Sequence, residues 1–197
     1  MKLYHFPPAP NPAKLGFYLR EKGIEVETEL LDFRKGEQNS PEHLARNPAG
    51  TLPVLELDDG TCLVESLAII EYLEEVYPDP PMLGTTALER AQVRAVMMYI
   101  ELNLLLPMIR WVHTTKSPLG LPPNPAVANH SAERLPRALQ RVNDRIGSSD
   151  FVMGDRPTVP DCILLAALNF GQFADFELPD GLDNLSRWYE LYPLRHL

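Results

Sequence analysis

The feature that most constrains this chain is a break in its apolar pattern at Tyr77-Pro78-Asp79-Pro80-Pro81. Proline has no N–H to donate and pushes the residue before it out of the helical region, so no helix runs through such a segment. On the N-terminal side the periodicity switches repeatedly. Lys2 to Phe6 reads as a short strand closed by Pro7-Pro8. A helix follows, with Asn11 as its N-cap, Pro12 at its first position and Gly23 as its stop signal. From Glu25 to Leu31, Val26, Thr28 and Leu30 alternate with glutamates, the period of a half-buried strand. Leu52 to Leu57, the turn Asp58-Asp59-Gly60, and Thr61 to Val64 read as a hairpin. Ser66 to Tyr77 carries Ile69, Ile70, Leu73 and Val76 at helical spacing.

Beyond the proline cluster only helical periods remain. The expected layout is an α/β domain over residues 1–77, a linker over 78–86 and an all-α domain over 87–197. Residues 87–114 read as one long helix kinked near Pro107, and Lys116 to Asn129 as a proline-rich loop. His130 to Ile146 places Leu135, Leu139, Val142 and Ile146 on one face and Arg134, Arg137, Arg141 and Arg145 on the other, which marks the arginines as a solvated stripe. Thr158-Val159-Pro160-Asp161 has the form of a capping box, and the helix it opens, Cys162 to Leu168, is apolar all round and expected at the centre of the second domain.

Composition narrows the function classes. A net charge of −9 argues against nucleic-acid binding, which needs clustered Lys and Arg opposite phosphates. No apolar run of membrane-spanning or signal-peptide length stands out, so a cytoplasmic location is expected. Cys62 and Cys162 are far apart and outside any metal-binding spacing, which points to core filling, with no metal site.

Three motifs occur in a telling order: Asn47-Pro48-Ala49-Gly50-Thr51-Leu52-Pro53-Val54-Leu55, then Val64-Glu65-Ser66-Leu67-Ala68-Ile69, then the Thr158–Asp161 cap. With this order and spacing the chain resembles the cytosolic glutathione transferase superfamily from Lys2 to about Leu194. The resemblance implies a thioredoxin-like α/β N-terminal domain followed by an all-α helical-bundle C-terminal domain, with glutathione as co-substrate. It implies that Leu52, before a cis Pro53, offers its backbone N–H and C=O to the cysteinyl part of glutathione, much as one strand pairs with another. It also implies that Ser66 and Glu65 hold the γ-glutamyl carboxylate and ammonium, and that Gln38 reaches the glycine end. On residues alone, Ser66 reads as an N-cap, Glu65 as a first-turn acid and Pro53 as an ordinary trans proline.

Family members activate the thiol with Tyr, Ser or Cys beside the first strand, because the thiolate is the nucleophile. Ala9 occupies the position matching the serine and donates nothing. Tyr4 lies within the strand, and His5 is nearer the position used by the tyrosine classes. Pro8-Ala9-Pro10-Asn11, together with Leu31 to Glu37 and Ser40-Pro41-Glu42, is similar to the bacterial nu-class and Ure2-like Asn-type members, which makes Asn11 the candidate catalytic residue. Lowering a thiol pKa by about two units requires about 2.7 kcal/mol of preferential thiolate stabilisation. One hydrogen bond to a charge supplies about 1.5–3 kcal/mol and a helix N-terminus about 0.3–1 kcal/mol more, so an asparagine there suffices.

The implied activity is glutathione transfer to a small hydrophobic electrophile, with disulfide or peroxide reduction as related chemistry. The alternative is a non-catalytic binding or regulatory protein on the same fold. The resemblance places the hydrophobic substrate against the helix of residues 87–114, where Tyr99, Asn103 and Arg110 share a face. It implies a homodimer, with neither nucleic acid nor membrane as partner.

Overall fold

In a computed structural model, described for residues 1–194, the chain divides into two compact units, Met1–Pro80 and the residues from Pro81 onward. The first unit is thioredoxin-like. Its sheet has the order β2-β1-β3-β4, built from β1 (Lys2–His5), β2 (Glu27–Leu30), β3 (Val54–Glu56) and β4 (Cys62–Val64). β1 and β2 are parallel, a pairing that requires a crossover, and α1 (Pro10–Lys22) supplies it. β3 pairs antiparallel with β1 and with β4. Two short 3-10 turns, Phe33–Lys35 and Glu37–Asn39, lead into α2 (Pro41–Arg46), and α3 (Ser66–Val76) closes the unit.

Four local expectations change. The N-cap of α1 is Ala9; Pro10, Asn11 and Pro12 fill its first turn, because a proline at either position fits where no N–H is needed. Gly23 ends the helix as expected, in the left-handed region at φ 66°. Ser66 is the first residue of α3 and Glu65 its cap position, without a side-chain capping bond. The alternating stretch forms only Glu27–Leu30, and Leu30 is 61% exposed. β2 is an edge strand, so its apolar residues have little to pack on, while Lys2 on β1 bridges Glu27 at 3.1 Å and Glu29 at 2.8 Å. Finally, the strands of the hairpin are shorter than read, since β3 begins only after Pro53.

Buried polar contacts fasten α1 to α3. Lys22 Nζ lies 2.9 Å from Glu74 and donates to the Pro80 carbonyl at 2.7 Å, and the Tyr18 hydroxyl also reaches Glu74, at 2.9 Å. Tyr4, Leu31, Leu52 and Val54 form a core cluster against which Phe6, Phe33, Cys62 and Val64 pack.

The second unit is helical: α4 (Ala87–Ile100), a π-helical segment Glu101–Leu105, α5 (Leu106–Thr115), α6 (Pro125–Ala132), α7 (Leu135–Ile146), α8 (Val159–Gly171) and α9 (Asp183–Leu191). The interruption expected near Pro107 is this π segment, in which the Leu106 N–H reaches back to the Glu101 carbonyl. The proline-rich loop is shorter than read, because Asn124 caps a helix that starts at Pro125. Residues 130–146 are two helices rather than one; Pro136, near the start of α7, cannot donate back across the break. The face read for α7 holds, with Leu135, Leu139, Val142 and Ile146 buried and the four arginines exposed.

The Thr158–Asp161 capping box forms, and every residue of α8 except Asn169 is buried. Asp161 takes four donors: Thr158 N–H (2.9 Å), Thr158 Oγ1 (2.8 Å), Val152 N–H (2.9 Å) and Trp188 Nε1 (3.0 Å). One stretch, Ala87–Thr115, is long and apolar enough to cross a membrane by length and composition, although charged and polar residues interrupt it in the sequence. Its apolar residues Val93, Met97, Ile100, Leu104, Met108 and Val112 are buried, and α4 and α5 both pack against α8.

Candidate functional site

Strand register gathers the candidate residues at one end of the sheet. Tyr4 pairs with Val54, and Val54 with Val64. The chain therefore leaves β1 toward Ala9 and Asn11, enters β3 from Leu52-Pro53, and leaves β4 into Glu65-Ser66, all at the same end. β2 runs parallel to β1, with His5 opposite Leu30, so it too delivers its continuation, toward Gln38, to that end.

Each turn there presents backbone polar groups. The Leu52-Pro53 bond is cis and both residues are buried. At α3 the first helical bond runs from Ile69 N–H to the Glu65 carbonyl at 3.0 Å, which leaves the N–H groups of Ser66, Leu67 and Ala68 without an intrahelical acceptor. Three N–H groups and the helix dipole at one point favour an anion. Glu65 is exposed and holds φ 66°, a conformation that costs a non-glycine residue about 1–3 kcal/mol and that clusters at functional sites.

Gln38 lies in the second 3-10 turn with its Oε1 buried and without a hydrogen-bond donor. Gly50 brings the 47–51 loop against this turn: at φ 62° an added Cβ would meet Asn39 Oδ1 at 3.2 Å and the Gln38 carbonyl at 3.3 Å. Gly50→Ala is therefore expected to lose about 1–2 kcal/mol in urea unfolding, and a midpoint equal to that of the parent would contradict the tight approach.

Among the groups considered for thiol activation, Tyr4 is committed elsewhere. Its hydroxyl donates to Glu56 Oε2 at 2.8 Å, toward the opposite end of the sheet, and the Arg46 guanidinium covers its ring at 4.1 Å. Burial, reinforced by the bond to Glu56, raises its pKa. His5 is half-buried, and burial lowers its pKa, which keeps it neutral at pH 7. Asn11 differs from both. Ala9 N–H is used by the Phe6 carbonyl at 2.9 Å, and Pro10 and Pro12 have no N–H. The first turn of α1 thus offers its free donors from one residue, the backbone N–H and the side-chain amide of half-buried Asn11.

Tyr99 and Asn103 lie one turn apart, with Asn103 Nδ2 donating to the Tyr99 carbonyl at 3.0 Å. The π segment Glu101–Leu105 shifts the helical phase before Arg110 is reached. The Tyr99 ring lies under the Arg141 guanidinium at 4.7 Å, in a cavity of about 240 Å³ shared with Gln92, Val96, Arg145 and Val152, while Arg110 is exposed on α5. Among the described residues no cluster of three or more His, Cys, Asp or Glu side chains is placed to hold a metal ion.

Sequence reasoning assigned no role to His43 and Asn47, both buried. His43 Nε2 lies 3.1 Å from the Thr51 carbonyl, and Asn47 Nδ2 donates to the same carbonyl at 2.9 Å and to Thr51 Oγ1 at 2.9 Å. Asn47 Oδ1 accepts from Ala49 N–H at 3.1 Å. An asparagine before Pro48 was the only sequence signal for this network, and it does not identify the partner.

Residues 1–75 match the family described as Glutathione S-transferase, N-terminal domain, and residues 124–191 match Glutathione S-transferase, C-terminal domain. Glutathione S-transferase 2 of Saccharomyces cerevisiae is 31% identical, over 96% of this chain and 84% of that protein. Maleylacetoacetate isomerase of Pseudomonas aeruginosa is also 31% identical, over 89% of this chain and 85% of its own length. The crystal structure of a glutathione S-transferase domain-containing protein from Marinobacter aquaeolei VT8 superimposes with a TM-score of 0.88 at 34% identity, covering 95% of each chain.

Proposed function

Because the chain belongs to the glutathione S-transferase family, we propose that it binds glutathione at the end of the sheet marked by Leu52-Pro53 and Glu65-Ser66 and stabilises the thiolate with Asn11. Relatives named glutathione S-transferases support a glutathione transferase activity for the chain. The observation that supports this placement of the site is the register, which brings three separate turns with free backbone groups to one place. The cysteinyl backbone pairs with Leu52, the γ-glutamyl carboxylate sits on the N–H groups opening α3, and the γ-glutamyl ammonium pairs with Glu65. Gln38 donates its side-chain amide N–H to the glycyl carboxylate.

An amide does not titrate in a useful range, so Asn11 cannot accept the thiol proton, which leaves to water. The thiolate then attacks. At carbon it forms a C–S bond as the leaving group departs with its electron pair. At a disulfide it forms a mixed disulfide and releases a thiolate. At a hydroperoxide it takes the terminal oxygen, giving a sulfenic acid and an alcohol, and a second glutathione carries this to glutathione disulfide and water. A homodimer in the cytoplasm belongs to the same reading.

Ala9 in place of a hydroxyl donor favours a second reading, a glutathione-binding regulator without turnover. Retention on immobilised glutathione combined with assays on a chloroaromatic, a disulfide and a hydroperoxide separates the two. The transferase is expected to be retained and to turn over at least one of the three; retention with no turnover would identify the regulator. Ser66→Ala should weaken retention by about tenfold, the loss of one hydrogen bond to a charged group, and equal retention would remove Ser66 from the site.

A further inference from the structure

We propose that His43 and Asn47 are positioning residues that aim the Leu52 N–H at the peptide ligand by jointly holding the Thr51 carbonyl. The inference rests on the glutathione-binding reading for its ligand but on bond geometry for its mechanism. The Thr51–Leu52 peptide is trans, so its C=O and N–H point in opposite directions within one rigid plane. His43 and Asn47 converge on that C=O at 3.1 and 2.9 Å from α2 and the residue that follows it. With the carbonyl drawn to that side, the Leu52 N–H faces away from α2, outward from the start of β3.

Two features make this a dedicated arrangement rather than incidental packing. A carbonyl has two acceptor positions, and both are taken by side chains of buried residues, so the peptide plane is fixed against rotation. His43 is fully buried, and its Nδ1 has no hydrogen-bond partner. The one hydrogen bond of the His43 ring is therefore the one to the Thr51 carbonyl, with Nε2 as the donor. Asn47 completes the clamp by fastening Thr51 Oγ1 and the Ala49 N–H, which closes the 47–51 loop on itself.

The test compares the parent with His43→Leu, His43→Gln and Asn47→Ala. His43→Leu and Asn47→Ala should raise KM for glutathione about tenfold or more, with kcat at saturating glutathione within about twofold and the pKa of the bound thiol unchanged, the pattern of a lost binding contact. His43→Gln retains an N–H donor and should restore most of the affinity. If a leucine at position 43 prevents folding, Asn47→Ala carries the test alone. The residual dipolar coupling of the Leu52 N–H reports the orientation itself, without glutathione, and should change in His43→Leu or Asn47→Ala. A lowered melting temperature with KM and the Leu52 coupling both unchanged would reduce the pair to a structural role and overturn the proposal. A parent protein that does not bind glutathione would instead overturn the proposed function, and the Leu52 coupling would still decide the positioning.

Discussion

Asn11→Ala is expected to lower kcat/KM for glutathione transfer near neutral pH by about 10- to 100-fold while leaving retention on immobilised glutathione intact. The size follows from losing one hydrogen bond to a thiolate, about 1.5–3 kcal/mol. The same loss raises the bound thiol pKa by about one to two units, so the acid limb of the pH–rate profile should move upward by that amount, with activity recovering at higher pH. Folding does not confound the measurement. Asn11 occupies the second position of α1 and makes no cap, so its removal costs the helix nothing that Ala9 and the flanking prolines do not already supply. Asn11→Asp should be slower still, because a carboxylate beside the sulfur opposes the thiolate. Unchanged kcat/KM in the alanine variant would remove Asn11 from the mechanism.

Asp161→Ala is expected to cost about 3–5 kcal/mol of stability, a large share of the 5–15 kcal/mol typical of a folded protein. The substitution strands four donors at once, two from Thr158, one from Val152 and one from Trp188, inside the helical unit. A melting-temperature drop on the order of 10 °C should accompany it. Trp188→Phe removes only the indole donor and should lose about 1–3 kcal/mol. A loss under 1 kcal/mol for Asp161→Ala would mean that the capping network contributes little.

The pH dependence of that loss has a definite sign. Burial pushes the Asp161 carboxyl up to about 6, against the pull of its four hydrogen bonds. The folded state therefore holds the proton more tightly than the unfolded chain, whose value is 3.8. Stability from this linkage is fully present below the unfolded value and is lost as pH rises through about 6. Between pH 5 and 8 the gap between parent and Asp161→Ala should narrow by roughly 1 kcal/mol in denaturant titrations. Glu89 does not interfere in that window. The Thr85 N–H and hydroxyl, then Arg156, hold it down to about 2, so its contribution is constant above the ordinary carboxylate range and fades only in strong acid.

Local signals in the sequence were read correctly where the interaction itself is local. The Thr158–Asp161 box, the Gly23 stop, the buried face of α7 and the Asp58-Asp59-Gly60 turn each depend on residues within about one helical turn or one hairpin of each other. The errors fall where two local solutions were equally good. Prolines at 10 and 12 both suit the start of a helix, and only packing decided that the cap is Ala9 and that Asn11 lies inside. In the same way the 130–146 pattern fits one helix as well as two.

By itself, the sequence determined that an α/β unit ends at the prolines after Tyr77, that helices follow, and that the motifs around Leu52-Pro53 and Glu65-Ser66 resemble those of glutathione transferases. Tertiary structure alone decided the rest. It placed the ends of β1, β2, β3 and β4 side by side, gave Glu65 its positive φ, closed His43 and Asn47 on the Thr51 carbonyl, and brought Trp188 to Asp161 across 27 positions. Those contacts depend on strand register and on which faces meet in the core, and neither is encoded in the spacing of neighbouring residues.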